Sequence, residues 1–121
     1  MDLALLKTEP NTSMTSISLA DQEAIPGEPV YVIGNSKGEG LCIVEGIVSD
    51  VHRKVGSIDT IMISAPVTTG NSGGPVFNAE GKLLGVIKSG HPDINSMNYV
   101  IPVKMIRDFL ETAQEQEDIE L

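Results

Sequence analysis

The sequence of 121 residues is short of aromatic, cysteine and basic residues, and each shortage excludes something. Aromatics make up 3% of the chain, so we expect a core of Val, Ile, Leu and Met. The single cysteine, Cys42, excludes a disulfide within the chain, and its apolar neighbours predict a buried, inert thiol. The net charge of −9 disfavours binding to nucleic acid or to an anionic membrane, because like charges repel.

Long apolar runs are absent as well. No run approaches the ~20 apolar residues of a membrane-spanning helix. The first residues also lack the basic start and the long apolar stretch of a signal peptide, so the sequence does not indicate a compartment. The length predicts one domain or part of one, and we expect neither a metal nor a cofactor.

Short apolar runs separated by Gly, Pro, Asn and Asp predict antiparallel β structure. Gly46 lies inside the longest run and predicts a bulge or a bend there. The segment 78–81 ends in glycine and predicts a hairpin loop. The predicted strands cover residues 3–7, 29–34, 41–51, 58–64, 76–77, 82–88 and 99–101.

The apolar period changes after Pro102. Apolar residues then recur at helical spacing on one face, which predicts a helix over about 102–116. Carboxylates crowd its C-terminal end and oppose the helix dipole, so we expect that end to fray into an acidic tail, 117–121. The predicted fold is all-β: an antiparallel barrel over about 1–101, closed by a C-terminal helix. The residues of the apolar helix face are Val103, Ile106, Phe109, Leu110 and Ala113.

The most informative segment is 68–77, in which Ser72 stands between glycines and a hydrophobic strand follows at once. Acyl transfer needs an exposed serine hydroxyl and backbone N–H groups that point to the developing oxyanion. Flanking glycines permit a positive φ and close approach of a substrate carbonyl. A strand, not a helix, follows the serine, so the nucleophile elbow of α/β-hydrolases does not fit. The segment therefore points to a serine protease.

The segment Gly70-Asn71-Ser72-Gly73-Gly74-Pro75 resembles the nucleophile loop of trypsin-like serine proteases. Further motifs in the expected order make the chain similar to the HtrA family of these proteases. The resemblance covers nearly all of the chain but only the second half of that family's protease domain, and it implies the second barrel of a two-barrel fold. The motifs are residues 34–38, 45–49, 70–74, 81–86 and 100–102.

The resemblance also implies roles for individual residues. Ser72 matches the nucleophile, and the backbone N–H groups of Gly70 and Ser72 match the oxyanion hole. Residues 2–7 resemble the family segment whose aspartate orients the catalytic histidine, so Asp2 matches that aspartate.

A peptide-binding wall is implied next to the nucleophile. The backbone of a following strand would pair with an extended polypeptide substrate and edge the pocket for its side chain. The residues implied in substrate binding are Thr69, Gly85, Val86, Ile87 and Lys88.

The family's histidine base is the missing member. His52 and His91 both follow Asp2, so neither matches a base that precedes the aspartate in this family. We therefore expect a half-domain with little peptidase activity alone, because a serine without a positioned base is a poor nucleophile. The expected partner is an N-terminal barrel that supplies the histidine, and the face left open should promote self-association.

Two other functions remain open from the sequence. The chain could be a non-catalytic β-barrel that binds a peptide or a partner and retains Ser72 as a relic. A phosphate site in the glycine-rich segment 34–40 is disfavoured, because a P-loop ends in lysine and a hydroxyl residue and continues into a helix.

Overall fold

The computed structural model describes residues 3–9, 13–35, 40–66, 72–94 and 96–117, with the following strands and helix. The strands are antiparallel neighbours throughout and close into a barrel in the order β1-β2-β3-β6-β5-β4. The elements are β1 (Pro29–Asn35), β2 (Leu41–Val55), β3 (Ile58–Ile63), β4 (Pro75–Phe77), β5 (Leu83–Gly90), β6 (Asn98–Pro102) and α1 (Val103–Glu117).

This architecture confirms the predicted antiparallel barrel with one C-terminal helix. The helix begins directly after β6, and Val103 and Ile106 on its apolar face are 1% and 8% exposed. The acidic residues 118–121 lie outside the described residues. No helix in the part of the chain that the structure describes is long and apolar enough to cross a membrane.

The predicted strand at residues 3–7 is wrong. Residues 3–9 have no regular secondary structure, and Leu6 is 85% exposed. An extended segment becomes a strand only when a neighbour accepts its backbone hydrogen bonds. Among the described residues no strand lies beside this segment, so its apolar pattern alone could not make it one.

The core inside the barrel is aliphatic, as predicted. Its fully buried members come from alternate positions of facing strands, which is the pattern expected of side chains that point into a barrel. Most are valine and isoleucine, whose branched side chains suit a pleated surface. The most buried are Val30, Val32, Val48, Ile63, Val76 and Val100, each at most 1% exposed.

The long strand β2 has two different halves. Residues 41–47 pair with β1, and pairing with β3 begins at Val48. The predicted burial of Cys42 is wrong: its side chain is half-buried, because this half of β2 extends past the end of β3. The predicted irregularity falls beyond Gly46, at register shifts between Val48 and Arg53.

Residues 18–20 form a strap across the start of β5. Leu83 N–H donates to the Ser18 carbonyl at 2.9 Å, and Ala20 N–H donates to the Leu83 carbonyl at 2.9 Å. The Arg107 guanidinium of α1 donates to the Ala20 carbonyl. The strap therefore ties the chain before β1 to both β5 and the helix.

Candidate active site

Ser72 lies in a turn immediately before β4, and its side chain is exposed. The next residue, Gly73, has a φ of +89° and donates its N–H to the Ile87 carbonyl of β5 at 2.8 Å. Ile87 N–H in turn donates to the Gly74 carbonyl at 2.9 Å. The turn is thus fastened to β5 by two backbone hydrogen bonds, while Ser72 itself is exposed.

The local sequence explains this turn. A positive φ is strained for any residue with a Cβ, so position 73 requires glycine even though an added Cβ would meet nothing within 4 Å. Pro75 follows as the first residue of β4, a place where a missing N–H is tolerated. Glycine and proline together set the direction in which the chain enters β4.

The predicted substrate wall lies in β5, directly beside this turn. Gly85 and Val86 face β4 on one side and β6 on the other. A Cβ at Gly85 would lie 2.3 Å from the Ile101 carbonyl oxygen, so only glycine fits between the strands. Ile87 is 2% exposed and gives both its backbone groups to the Ser72 turn. The half-buried Lys88 is the next residue along this edge.

The chain enters the nucleophile segment through Ser64 and Ala65, just past the end of β3. Ser64 N–H donates to the Ile47 carbonyl at 3.0 Å, and Ile47 N–H donates to Ser64 Oγ at 2.9 Å. A Cβ at Gly46 would lie 2.4 Å from Ala65 N. Gly46 therefore permits a close approach that any larger residue would prevent.

Asn98 of β6 also contacts Ala65, and the sequence analysis did not predict this contact. Its Nδ2 donates to the Ala65 carbonyl at 2.7 Å, and the residue is 2% exposed. The signal in the sequence is a lone amide at the start of an otherwise apolar strand, and a buried polar side chain needs a partner. Nothing local in the sequence says that the partner is residue 65.

The other residues considered for the site are of two kinds, those that the structure does not describe and the two histidines. Asp2, Thr69 and Gly70 lie outside the described residues. His91 follows β5, donates its N–H to the Met97 carbonyl at 2.8 Å and accepts at Nδ1 from Asp93 N–H at 3.1 Å. In the part of the chain that the structure describes, neither His91 nor the exposed His52 is hydrogen-bonded to Ser72, and no acidic, histidine or cysteine cluster could hold a metal.

The opposite end of the barrel carries charge instead. Asp50 accepts from His52 N–H at 3.0 Å and from Arg53 Nε at 2.7 Å. These two donors, the His52 N–H first, lower the pKa of the Asp50 carboxyl below its ordinary value. Lys54 and Asp59 form a further exposed ion pair at 3.5 Å.

Known proteins share this architecture and sequence. The family model described as "Trypsin-like peptidase domain" matches residues 1–86. A "Serine protease HtrA-like" of Staphylococcus aureus (strain USA300) is 35% identical over 93% of this chain. The chain spans 17% of the length of that relative.

Solved structures agree on the fold. The HtrA-type protease AlgW with tripeptide superposes with a TM-score of 0.78 at 23% identity, over 90% of this chain and 39% of that one. The serine endoprotease from Yersinia pestis gives a TM-score of 0.74 at 24% identity, over 88% of this chain and 38% of that one. At these identities the structures show the shared fold, and the family comes from the sequence matches. The chain belongs to the trypsin-like peptidase domain family and is HtrA-like.

Proposed function

We propose that this chain is the nucleophile-bearing half of a serine endopeptidase that cleaves peptide bonds in polypeptides. The observation that carries the proposal is the exposed Ser72 on a turn fastened to β5 through Gly73 and Gly74. A nucleophile has to be held in a fixed place next to the bond it attacks, and this turn is held on one side by a strand of the barrel. The curated relative's description as a serine protease supports the same chemistry.

In the proposed reaction, Ser72 Oγ attacks the scissile carbonyl carbon while a general base removes the hydroxyl proton. The N–H groups of Gly70 and Ser72 stabilise the oxyanion, and loss of one such donor costs about 3–4 kcal/mol in comparable sites. The protonated base then gives its proton to the leaving amine, and water hydrolyses the acyl-enzyme in the same way. Asp2 orients the base in this scheme.

The base comes, in this proposal, from a barrel outside these 121 residues. His52 lies in the charged half of β2, and His91 is engaged with Asp93 through Nδ1. A general base must reach the serine hydroxyl at hydrogen-bond distance, which supports a different source for it. By itself the chain is expected to show little or no peptidase activity.

An apolar outer face supports a docking partner for the chain. Leu41 and Ile43 of β2 are 81% and 68% exposed. Ile43 also lines an open cavity of about 380 Å³, together with Tyr31, Ile33 and Phe77. Contiguous apolar surface of this kind is typical of an interface. We propose that the first barrel covers it, and that isolated chains associate through it.

The peptide-pairing edge in this proposal begins after Ile87. The backbone groups of Ile87 are already bonded to Gly73 and Gly74. In this proposal, residues 85–87 therefore support the wall and do not themselves pair with the substrate backbone. An extended substrate would pair with β5 beyond Ile87, where β4 no longer runs alongside. The HtrA-type protease AlgW has solved structures with a tripeptide and with a decapeptide, which supports a peptide ligand.

A fluorophosphonate probe tests the proposal. The chain is treated alone and then together with the first barrel of a trypsin-like relative, added as a separate polypeptide. We expect labelling only after addition of that barrel, and complete loss of labelling in Ser72→Ala, because the phosphonyl group reacts with an activated serine. Ser57→Ala is the matched control, since Ser57 is an exposed serine in the turn between β2 and β3.

Labelling that survives in Ser72→Ala would refute Ser72 as the nucleophile. A folded mixture that never labels would favour the alternative, a barrel that binds peptides or a partner without catalysis. Substrate peptide binding, measured by fluorescence anisotropy, then separates a binding module from an inert fold.

A further inference from the structure

Asn98 is placed to control the geometry of the nucleophile segment from a distance. It is one of two polar residues among the buried positions described, and its amide donates to the Ala65 carbonyl at 2.7 Å. Ala65 lies seven positions before Ser72, where the chain leaves the barrel for the nucleophile segment. A buried side chain that donates to a backbone carbonyl fixes that backbone more tightly than an apolar contact does.

The other end of the same amide lies against β5. Asn98 pairs with Gly90, the last residue of β5, and a Cβ at Gly90 would lie 2.6 Å from Asn98 Oδ1. The side chain therefore fits closely between Ala65 and Gly90. Ala65 also lies close to Gly46 of β2, where an added Cβ would lie 2.4 Å from Ala65 N.

Asn98 and Ile87 hold the chain at two points on either side of residues 67–71, at Ala65 and at the turn after Ser72. Gly73 and Gly74, which follow Ser72, are fastened to Ile87 of β5, and Ala65, seven positions before Ser72, is held by Asn98. The side chain of Asn98 holds Ala65, and its backbone pairs with Gly90 at the end of β5. We propose that Asn98 is a positioning residue, which sets the nucleophile segment relative to β5 by holding Ala65 at a fixed distance from Gly90.

Amide hydrogen exchange on the chain tests this inference directly. The variant is Asn98→Leu, which keeps the number and branching of the side-chain heavy atoms but has no donor. The reporters are Gly73 N–H and Ile87 N–H at the Ser72 turn, against Val48 N–H, which donates to the Glu28 carbonyl away from it. We expect exchange at the two turn reporters to accelerate about tenfold or more relative to Val48, because a lost buried bond is equivalent to about that factor.

A matched control separates positioning from general stability. Thr60 is 1% exposed, and its hydroxyl donates to the Arg53 carbonyl at 2.8 Å near the other end of the barrel. Thr60→Val removes the same kind of bond at nearly constant volume. Its effect on exchange is expected to be no larger at Gly73 and Ile87 than at Val48.

Equal acceleration at all three reporters in Asn98→Leu, or none, would overturn the inference. If Asn98→Leu does not fold, Asn98→Ala takes its place. Failure of both variants to fold would also overturn it, because the residue would then serve the fold and not the segment.

A second measurement connects the inference with activity, and this part rests on the proposed function. In the preparation that labels at Ser72, Asn98→Leu is expected to lower the labelling rate and kcat about tenfold while KM for a short peptide stays unchanged. A purely structural role would change the melting temperature but not the rate per folded molecule. If the unmodified chain never labels, the proposed function fails, and amide exchange still decides the role of Asn98.

Discussion

The two halves of β2 show how one strand serves two different tasks. Residues 41–47 turn Leu41, Ile43 and Ile47 toward solvent, although these are the side chains that strands normally bury. Residues 48–55 carry Asp50 and other charged residues on the exposed side. The first half lies beside the chain entering the nucleophile segment, whereas the second half ends in a turn with Gly56. An outward apolar face next to the site and a solvated face away from it agree with the proposal that a partner docks against the first half of β2.

Gly46→Ala, in the first half of β2, should lower the free energy of unfolding more than the other substitutions below. The new Cβ would lie 2.4 Å from Ala65 N and 2.7 Å from its Cα, so backbone must move. We expect a loss of about 3 kcal/mol in the free energy of unfolding, at the upper end for overpacking of a core. Urea denaturation followed by circular dichroism measures it.

Gly27→Ala is the control for that prediction. Gly27 has a φ of +89°, but an added Cβ there would meet nothing within 4 Å. Its cost should be about 1 kcal/mol of backbone strain. Equal losses in both variants would show that the approach of β2 to Ala65 is not a constraint.

Ile43→Glu should weaken self-association with little effect on folding. The side chain is 68% exposed and lines the apolar cavity, so a carboxylate would be desolvated only in the associated state. We expect the dimer dissociation constant to rise about tenfold or more, measured by analytical ultracentrifugation.

Lys54→Glu in the second half is the control for association. Lys54 is exposed and forms an ion pair with Asp59 across the hairpin, so its replacement should leave association unchanged. If this substitution disrupts association as strongly as Ile43→Glu does, the contrast between the two faces of β2 is lost.

Thr60→Val should cost about 1 kcal/mol of stability, because it removes one bond from a buried hydroxyl to the Arg53 carbonyl. The labelling rate per folded molecule should stay unchanged, since this bond lies in the second half of β2. Thermal unfolding and fluorophosphonate labelling measure the two quantities, and a fall in the rate without a fall in stability would contradict the assignment.

Asp50→Asn should have the smallest effect, confined to acid. The folded pKa of Asp50 is lowered, so its contribution to stability is present above the ordinary value of 3.8 and is lost as the pH falls through the folded pKa. The variant should therefore lose less stability than the unmodified chain below that pH. Denaturation at a series of pH values measures this, and parallel pH profiles would contradict it.

The sequence predicted what depends on local backbone chemistry. Glycine before β4 indicated a positive φ, and Gly73 has one. The helical period after Pro102 indicated α1, because amphipathic spacing is read within a few turns. Alternating apolar runs likewise identified the barrel strands.

Features that depend on distant pairing could not be predicted in this way. The partner of Asn98 is 33 residues away, and only the register of β3 against β6 brings Ala65 to it. The same limit explains the error at residues 3–7, since an apolar run does not tell whether a neighbouring strand exists. For the same reason, the apolar sequence of residues 41–47 predicts a buried strand, although Leu41, Ile43 and Ile47 are exposed.

The strap of residues 18–20 has a consequence for the order of events during synthesis. Arg107, which binds the Ala20 carbonyl, comes 87 residues later in the chain. The start of α1 must therefore leave the ribosome before this bond of the strap can form, and contacts this distant are slow to form because a long loop has to close first. The strap, although it precedes β1, is thus among the last of the described segments to gain all of its contacts, because one of them depends on α1.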